Sequence, residues 1–155
     1  MSNVDFLIKN VSLPDGKVAD IGITDGVISS IGKDSKDQAT NCIDGSGCVA
    51  LPGLVDLHTH LREPGREDAE TVLSGSRAGV KGGFTAVSAM ANTSPVADTA
   101  GVVEQVYRLG QEAGLLDVFP IGAVTQGLKG EALSEIGAMA DSVARVRVFS
   151  DDGNC

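Results

Sequence analysis

The chain has 155 residues, 12 Lys and Arg against 21 Asp and Glu, and a formal net charge of −9. Its 42% apolar and 21% charged content is ordinary globular usage and excludes wholesale disorder. The acidic balance argues against nucleic acid or an acidic membrane surface as a partner.

Residues 1–51 read as short strands. Val4, Phe6 and Ile8 recur at every second position, the strand period. Ala19–Thr24 and Val27–Ile31 flank Asp25-Gly26, the pattern of a hairpin closed by a two-residue turn. Asp15-Gly16 and Asp44-Gly45 mark further turns, and the polar residues 33–40 read as loop. Met1-Ser2-Asn3-Val4-Asp5 has no basic region followed by an apolar core, so no signal peptide is expected. No apolar run approaches the roughly 18 residues of a membrane span. Cys42, Cys48 and Cys155 are odd in number and form no C-x-x-C spacing. A disulfide scaffold is therefore not expected, and a reducing cytoplasm is.

The pattern changes at Pro52-Gly53. Leu54–His58 is a short apolar run. Residues 67–80 suggest a helix with Ala69, Val72, Leu73 and Val80 on one face, ended by Gly82-Gly83. Phe84–Met90 reads as the next strand. Asp98 or Thr99 is placed to cap a helix whose apolar face is Val102, Val106, Leu109 and Ala113, closed by Gly114. Asp117–Val124 reads as a third strand, followed by a short helix with Leu133, Ile136 and Ala140. Val143–Phe149 reads as a fourth strand. The strand starts recur about every thirty residues, the length of a βαβ unit. Such alternation implies a parallel sheet covered by helices, either open or half of a (β/α)8 barrel.

In parallel α/β folds, ligands gather at the C-terminal ends of the strands. His58 and His60 end the first expected strand, Asn92 follows the second, Thr125 the third, and Ser150, Asp151 and Asp152 the fourth. Side chains two apart on a strand point the same way, so both imidazoles can reach one cation, and imidazole suits zinc. A carboxylate would bring the ligands to three, enough for a catalytic metal with an open position. Asp151-Asp152-Gly153 also has the composition of an ordinary turn or cap. Arg62 suits an anionic substrate through bidentate pairing, or a surface pair with Glu63 or Glu67. No phosphate-binding glycine motif and no G-x-S-x-G nucleophile elbow occur.

The stretch from Pro52 to Gly65, Pro-Gly-Leu-Val-Asp-Leu-His-Thr-His-Leu-Arg-Glu-Pro-Gly, resembles the segment that opens the barrel of dihydroorotase, in the amidohydrolase superfamily. Gly82-Gly83-Phe84-Thr85 with Met90-Ala91-Asn92-Thr93-Ser94-Pro95, and Phe149-Ser150-Asp151-Asp152-Gly153, are similar to its next blocks. The histidine motif alone is shared with hydantoinases and allantoinases. Its combination with the other blocks resembles dihydroorotase of the longer bacterial type, which carries aspartate where many relatives place a carboxylated lysine. Ala91 departs from the usual proline there.

The resemblance implies an α/β fold: residues 1–51 as the N-terminal half of a small β-sandwich, and residues 52–155 as the first four units of an amidohydrolase (β/α)8 barrel. It implies zinc as cofactor, two ions per complete site, with His58, His60 and a bridging Asp152 rather than Asp151 as ligands. His60, Arg62 and Asn92 would bind substrate, the last two holding its carboxylate. The implied reaction is the reversible cyclisation of N-carbamoyl-L-aspartate to L-dihydroorotate in pyrimidine synthesis, by metal-activated hydroxide attack on the cyclic amide. The family's remaining histidines and its general-base aspartate follow later strands. The chain is therefore expected to be the N-terminal part of a longer enzyme, inactive and poorly soluble alone. The complete protein is expected to be a cytoplasmic homo-oligomer, with aspartate transcarbamoylase as a candidate partner. Two competing readings are a hydantoinase- or allantoinase-type cyclic amidohydrolase, and a non-catalytic dihydroorotase-like partner of aspartate transcarbamoylase.

Overall fold

The structure is a computed structural model that describes residues 3–33 and 35–153. It divides into two compact units, Met1–Pro52 and Gly53–Cys155. Residue 34 of the expected loop, and Cys155, lie outside the described residues.

The first unit is one four-stranded sheet of β1 (Asn3–Ser12), β2 (Val18–Thr24), β3 (Val27–Gly32) and β4 (Gln38–Asp44), in the order β3-β2-β1-β4. β2 and β3 form the hairpin expected at Asp25-Gly26, whose φ values of 52° and 73° are both positive. That is the two-residue turn whose twist matches its strands. β4 runs parallel to β1 and takes up residues 38–40, expected as loop. Gln38 and Ala39 there pair with Asn3 and Val4 along the ladder, a tertiary contact that local polarity does not announce. The expected alternation in β1 is also corrected. Val4, Leu7 and Val11 are the buried residues, while Phe6 is 44% exposed. A register shift between Ile8 and Val11, with Asn10 at φ 58°, breaks the period of two.

The second unit is α/β. β5 (Leu54–Thr59), β6 (Phe84–Ala89) and β7 (Asp117–Pro120) form a parallel sheet in chain order. α1 (Val72–Lys81) joins β5 to β6, and α2 (Ala100–Ala113) joins β6 to β7. These are the βαβ crossovers that parallel pairing requires. Val87, Ala89 and Val118 of the sheet pack with Val72 of α1 and Val106 of α2 in one core cluster. A second cluster gathers Val103, Met139, Ala144 and Val146.

α1 starts five residues later than the periodicity suggests. Thr71 caps it reciprocally with Ser74, and the Glu63 carboxylate accepts the Val72 N–H at 2.7 Å. Ala69 is therefore outside the helix, Leu73 and Val80 are exposed, and Val72 with Ser76 forms the buried face. α2 begins after Thr99 and ends at Gly114 as expected, but it buries Val103, Val106 and Gly110.

The third strand is shorter than expected, and Val143–Phe149 is not a strand. Only Phe149 bridges, in parallel, to Gly122. The Val146 N–H turns back to the Met139 carbonyl, and Arg145 sits at φ 46°. Ala144 and Val146 are thereby drawn into the second cluster instead of pairing along β7. Arg147 donates to the carbonyls of Ala140 and Val146, closing the end of α3 (Ile136–Asp141). Leu133, expected in that helix, precedes it and is 68% exposed; Met139 is the buried residue of α3.

Candidate metal centre

The polar residues of the rim come from three segments. His58 lies in the last turn of pleat of β5 and His60 just past its end; Asn92 lies three residues beyond β6; Asp151 and Asp152 follow the Phe149 bridge. The Asp56 carboxylate accepts the His58 N–H at 3.0 Å, and the Thr59 hydroxyl donates to the Ser88 carbonyl at 2.8 Å. These bonds tie the end of β5 to itself and to β6.

The two imidazole Nε2 atoms lie 3.2 Å apart. Oδ1 of Asp152 is 3.1 Å from Nε2 of His58 and 3.9 Å from Nε2 of His60. One ligand atom from each residue falls within 4.8 Å of the others. Ligands about 2.0–2.1 Å from a tetrahedral zinc stand about 3.3 Å from one another. Two of the three separations match that edge and the third is wider, so the donor set and its spacing fit such an ion. His58 is more than half exposed, whereas Asp152 retains only 15% of its side-chain exposure. The group is therefore open on the His58 side and backed by protein on the Asp152 side.

Asn92 ties the group together. Its Nδ2 donates to Asp152 Oδ2 at 2.7 Å, and its Oδ1 lies 3.0 Å from His60 Nδ1. Each use leaves the amide one further N–H and one further lone pair.

The neighbouring aspartate does something different. Asp151 Oδ1 accepts the N–H groups of Val124 and Thr125 at 2.8 and 3.0 Å, and its Oδ2 accepts the Thr125 hydroxyl at 2.6 Å. Burial works to raise the Asp151 carboxyl, but the Thr125 hydroxyl and the two N–H groups outweigh it and hold the carboxyl below its ordinary value. Its oxygens are thus occupied by the segment that follows β7, while Asp152 stands beside the histidines. The division rests on backbone geometry: Asp152 has φ 54°, and its N–H donates to the Ser150 hydroxyl at 3.1 Å.

Arg62 also occupies the left-handed region, at φ 61°. Neither acid that neighbours it in sequence takes its charge. Glu63 accepts from Val72, and Glu67 accepts from the Gly65 N–H at 2.8 Å. Among the described residues the Arg62 guanidinium has no ion pair or hydrogen bond, which leaves its donors available to an anion. The loop carrying Arg62 touches the loop carrying Asn92, where the Ser94 N–H donates to the Pro64 carbonyl at 2.9 Å. A Cβ at Gly65, φ 103°, would run into the Ser94 carbonyl oxygen, so the contact demands glycine.

Two residues expected only at the rim have specific partners: the Thr125 hydroxyl donates to Asp151 across 26 residues, a pairing no local pattern signals, and the Ser150 hydroxyl accepts the Asp152 N–H.

The sequence profile described as "Dihydro-orotase-like" matches residues 47–154. The chain belongs to the dihydro-orotase-like family. The dihydroorotase of Leifsonia xyli subsp. xyli is 61% identical over 155 residues, covering 100% of this chain and 35% of that protein. That of Streptomyces coelicolor is 58% identical over 149 residues, 96% of this chain and 35% of that protein. Among solved structures, the L-hydantoinase of Arthrobacter aurescens superimposes with a TM-score of 0.67 at 28% identity, over 81% of this chain and 29% of that one. The chain thus spans about 35% of the length of the curated dihydro-orotase-like relatives it matches.

Proposed function

We propose that this chain carries part of the active site of a zinc-dependent dihydroorotase, which interconverts N-carbamoyl-L-aspartate and L-dihydroorotate. The observation that carries the reading is the convergence of His58, His60 and Asp152 within 4.8 Å in a chain of the dihydro-orotase-like family. His58, His60 and Asp152 would hold the metal, two ions sharing the complete site. When bound, zinc supplies Lewis acidity to water and to the ring amide carbonyl. The chain's own residues bind and orient. Arg62, unpaired on its loop, offers a planar pair of donors to the substrate carboxylate. The second Nδ2 proton of Asn92 is free for the same group. Asp152, backed by protein, fixes one side of the centre, and the half-exposed His58 leaves the other side open for entry.

On this reading residues 52–155 are the first β/α units of a (β/α)8 barrel, and residues 1–51 belong to a small β-sandwich. The parallel β5-β6-β7 order and the polar rim at the strand ends support the barrel assignment. The described cysteines, Cys42 and Cys48, are free thiols, which suits a reducing cytoplasm. A homo-oligomer, and association with aspartate transcarbamoylase, belong to the same proposal.

A second reading, a hydantoinase-type cyclic amidohydrolase, is favoured by the L-hydantoinase likeness. The intact protein should be assayed with N-carbamoyl-L-aspartate, L-dihydroorotate and hydantoin. Turnover of the first two but not hydantoin supports the dihydroorotase reading; preference for hydantoin overturns it in favour of the second. Loss of both activity and bound zinc in His58→Ala supports the ligand set, and activity within threefold of wild type refutes it.

A further inference from the structure

We infer that Asn92 is a positioning residue for the metal centre, setting the tautomer of His60 so that its Nε2 lone pair faces the ion, and orienting Asp152 at the same time. This rests on the metal reading proposed above. The argument runs through two hydrogen bonds. An ionised carboxylate only accepts, so the Asn92 atom 2.7 Å from Asp152 Oδ2 must be the NH2 group. That fixes the amide, and its carbonyl oxygen is the atom 3.0 Å from His60 Nδ1. A carbonyl oxygen also only accepts, so Nδ1 carries the proton. A neutral imidazole has one N–H, so Nε2 of His60 is a lone pair. That nitrogen stands 3.2 Å from Nε2 of His58 and 3.9 Å from Asp152 Oδ1, the spacing of atoms that could share one ion. One primary amide therefore aims two of the three ligand atoms. Partners of this kind hold a metal-binding imidazole in its tautomer and orientation, and their removal costs about 10–100-fold in metal affinity. The amide's other N–H and lone pair remain free, so the role is compatible with a substrate contact.

The test uses the intact protein without substrate. Histidine labelled with 15N reports which ring nitrogen is protonated in the metal-free protein at pH 8, with His60 assigned by its loss in His60→Gln. Zinc affinity is measured separately by competition with a chromophoric chelator. Wild type should show the Nδ1–H form of His60. Asn92→Ala should shift it toward the Nε2–H form and weaken zinc about 10–100-fold. Asn92→Asp keeps an acceptor for Nδ1–H and should keep the tautomer, a rescue that a merely structural role would not produce. An Nε2–H His60 in wild type, an unchanged tautomer in Asn92→Ala, or a zinc affinity there within threefold of wild type would overturn the inference. If wild type takes up no zinc, the metal reading fails, and the tautomer result still decides the role of Asn92.

Discussion

Asp151→Asn separates the two adjacent aspartates. The side chain keeps its shape and one carbonyl oxygen for the Val124 and Thr125 N–H groups. It loses the charge, and it presents an NH2 group to the Thr125 hydroxyl, whose oxygen already accepts the Gly130 N–H at 2.9 Å. Three bonds lose charge assistance, which about halves each of them. With neutral bonds at about 1 kcal/mol each the gross loss is about 3 kcal/mol, and partial exposure of the carboxylate reduces it to about 1–2 kcal/mol. Amide hydrogen exchange at Val124 and Thr125 reads this locally, because those N–H groups donate to Asp151. At neutral pH both should exchange about tenfold faster relative to their intrinsic rates, since about 1.4 kcal/mol is a factor of ten. Asp151 titrates below its ordinary value in the folded protein. Its contribution is therefore complete above the unfolded carboxyl value of about 3.9 and is lost as pH falls through the lower folded value. The difference between variant and wild type should accordingly shrink below about pH 4. Zinc binding should survive, because Asp152 and both histidines are untouched. Equal protection in the two proteins at pH 7, or a loss of zinc as large as that caused by Asp152→Asn, would refute the division of labour.

Three further changes probe the loops, the core and the proposed substrate contact. Gly65→Ala forces a side chain into the Ser94 carbonyl at φ 103°. It should cost about 2–4 kcal/mol in denaturant unfolding, the sum of backbone strain and overpacking, and a cost under about 0.5 kcal/mol would sink the close-contact argument. Met139→Ala removes the largest wholly buried side chain of the second cluster. A loss of about 2–5 kcal/mol is expected from the same measurement, and less than about 1 kcal/mol would mean that the cluster collapses around the gap. Arg62→Met in the intact enzyme should raise KM for the carboxylate-bearing substrate at least about tenfold, as expected for lost charged hydrogen bonds. Unchanged KM and kcat would count against the clamp.

What was readable in advance follows the range of the interactions. The β2–β3 hairpin was legible because Asp25-Gly26 supplies the two positive φ values by itself. The β5-α1-β6-α2-β7 succession was legible because apolar runs and helical periods alternate at βαβ length. The start of α1 was not, because a carboxylate from residue 63 and the Thr71–Ser74 pair set it. Nor was the irregular course of residues 143–148, where burial of Ala144 and Val146 against Met139 competes with pairing along β7. At the centre, the two-residue spacing of His58 and His60 foretold rings that converge. The choice between Asp151 and Asp152 was open to the eye only through resemblance. Physically it depends on φ 54° at Asp152 and on Thr125, far away in sequence.

The centre joins residues near the beginning of the second unit to residues near the end of its described part. A cation shared by His60 and Asp152 would close a loop on the order of ninety residues, and long loops are slow to close because their ends must search a large volume. His58, His60 and Asp152 come together only where the end of β5 meets the segment after the Phe149 bridge, and Asp151 ties that segment to Val124 and Thr125. An ion held by all three would act as a late staple: it would stabilise only chains in which those segments had already met.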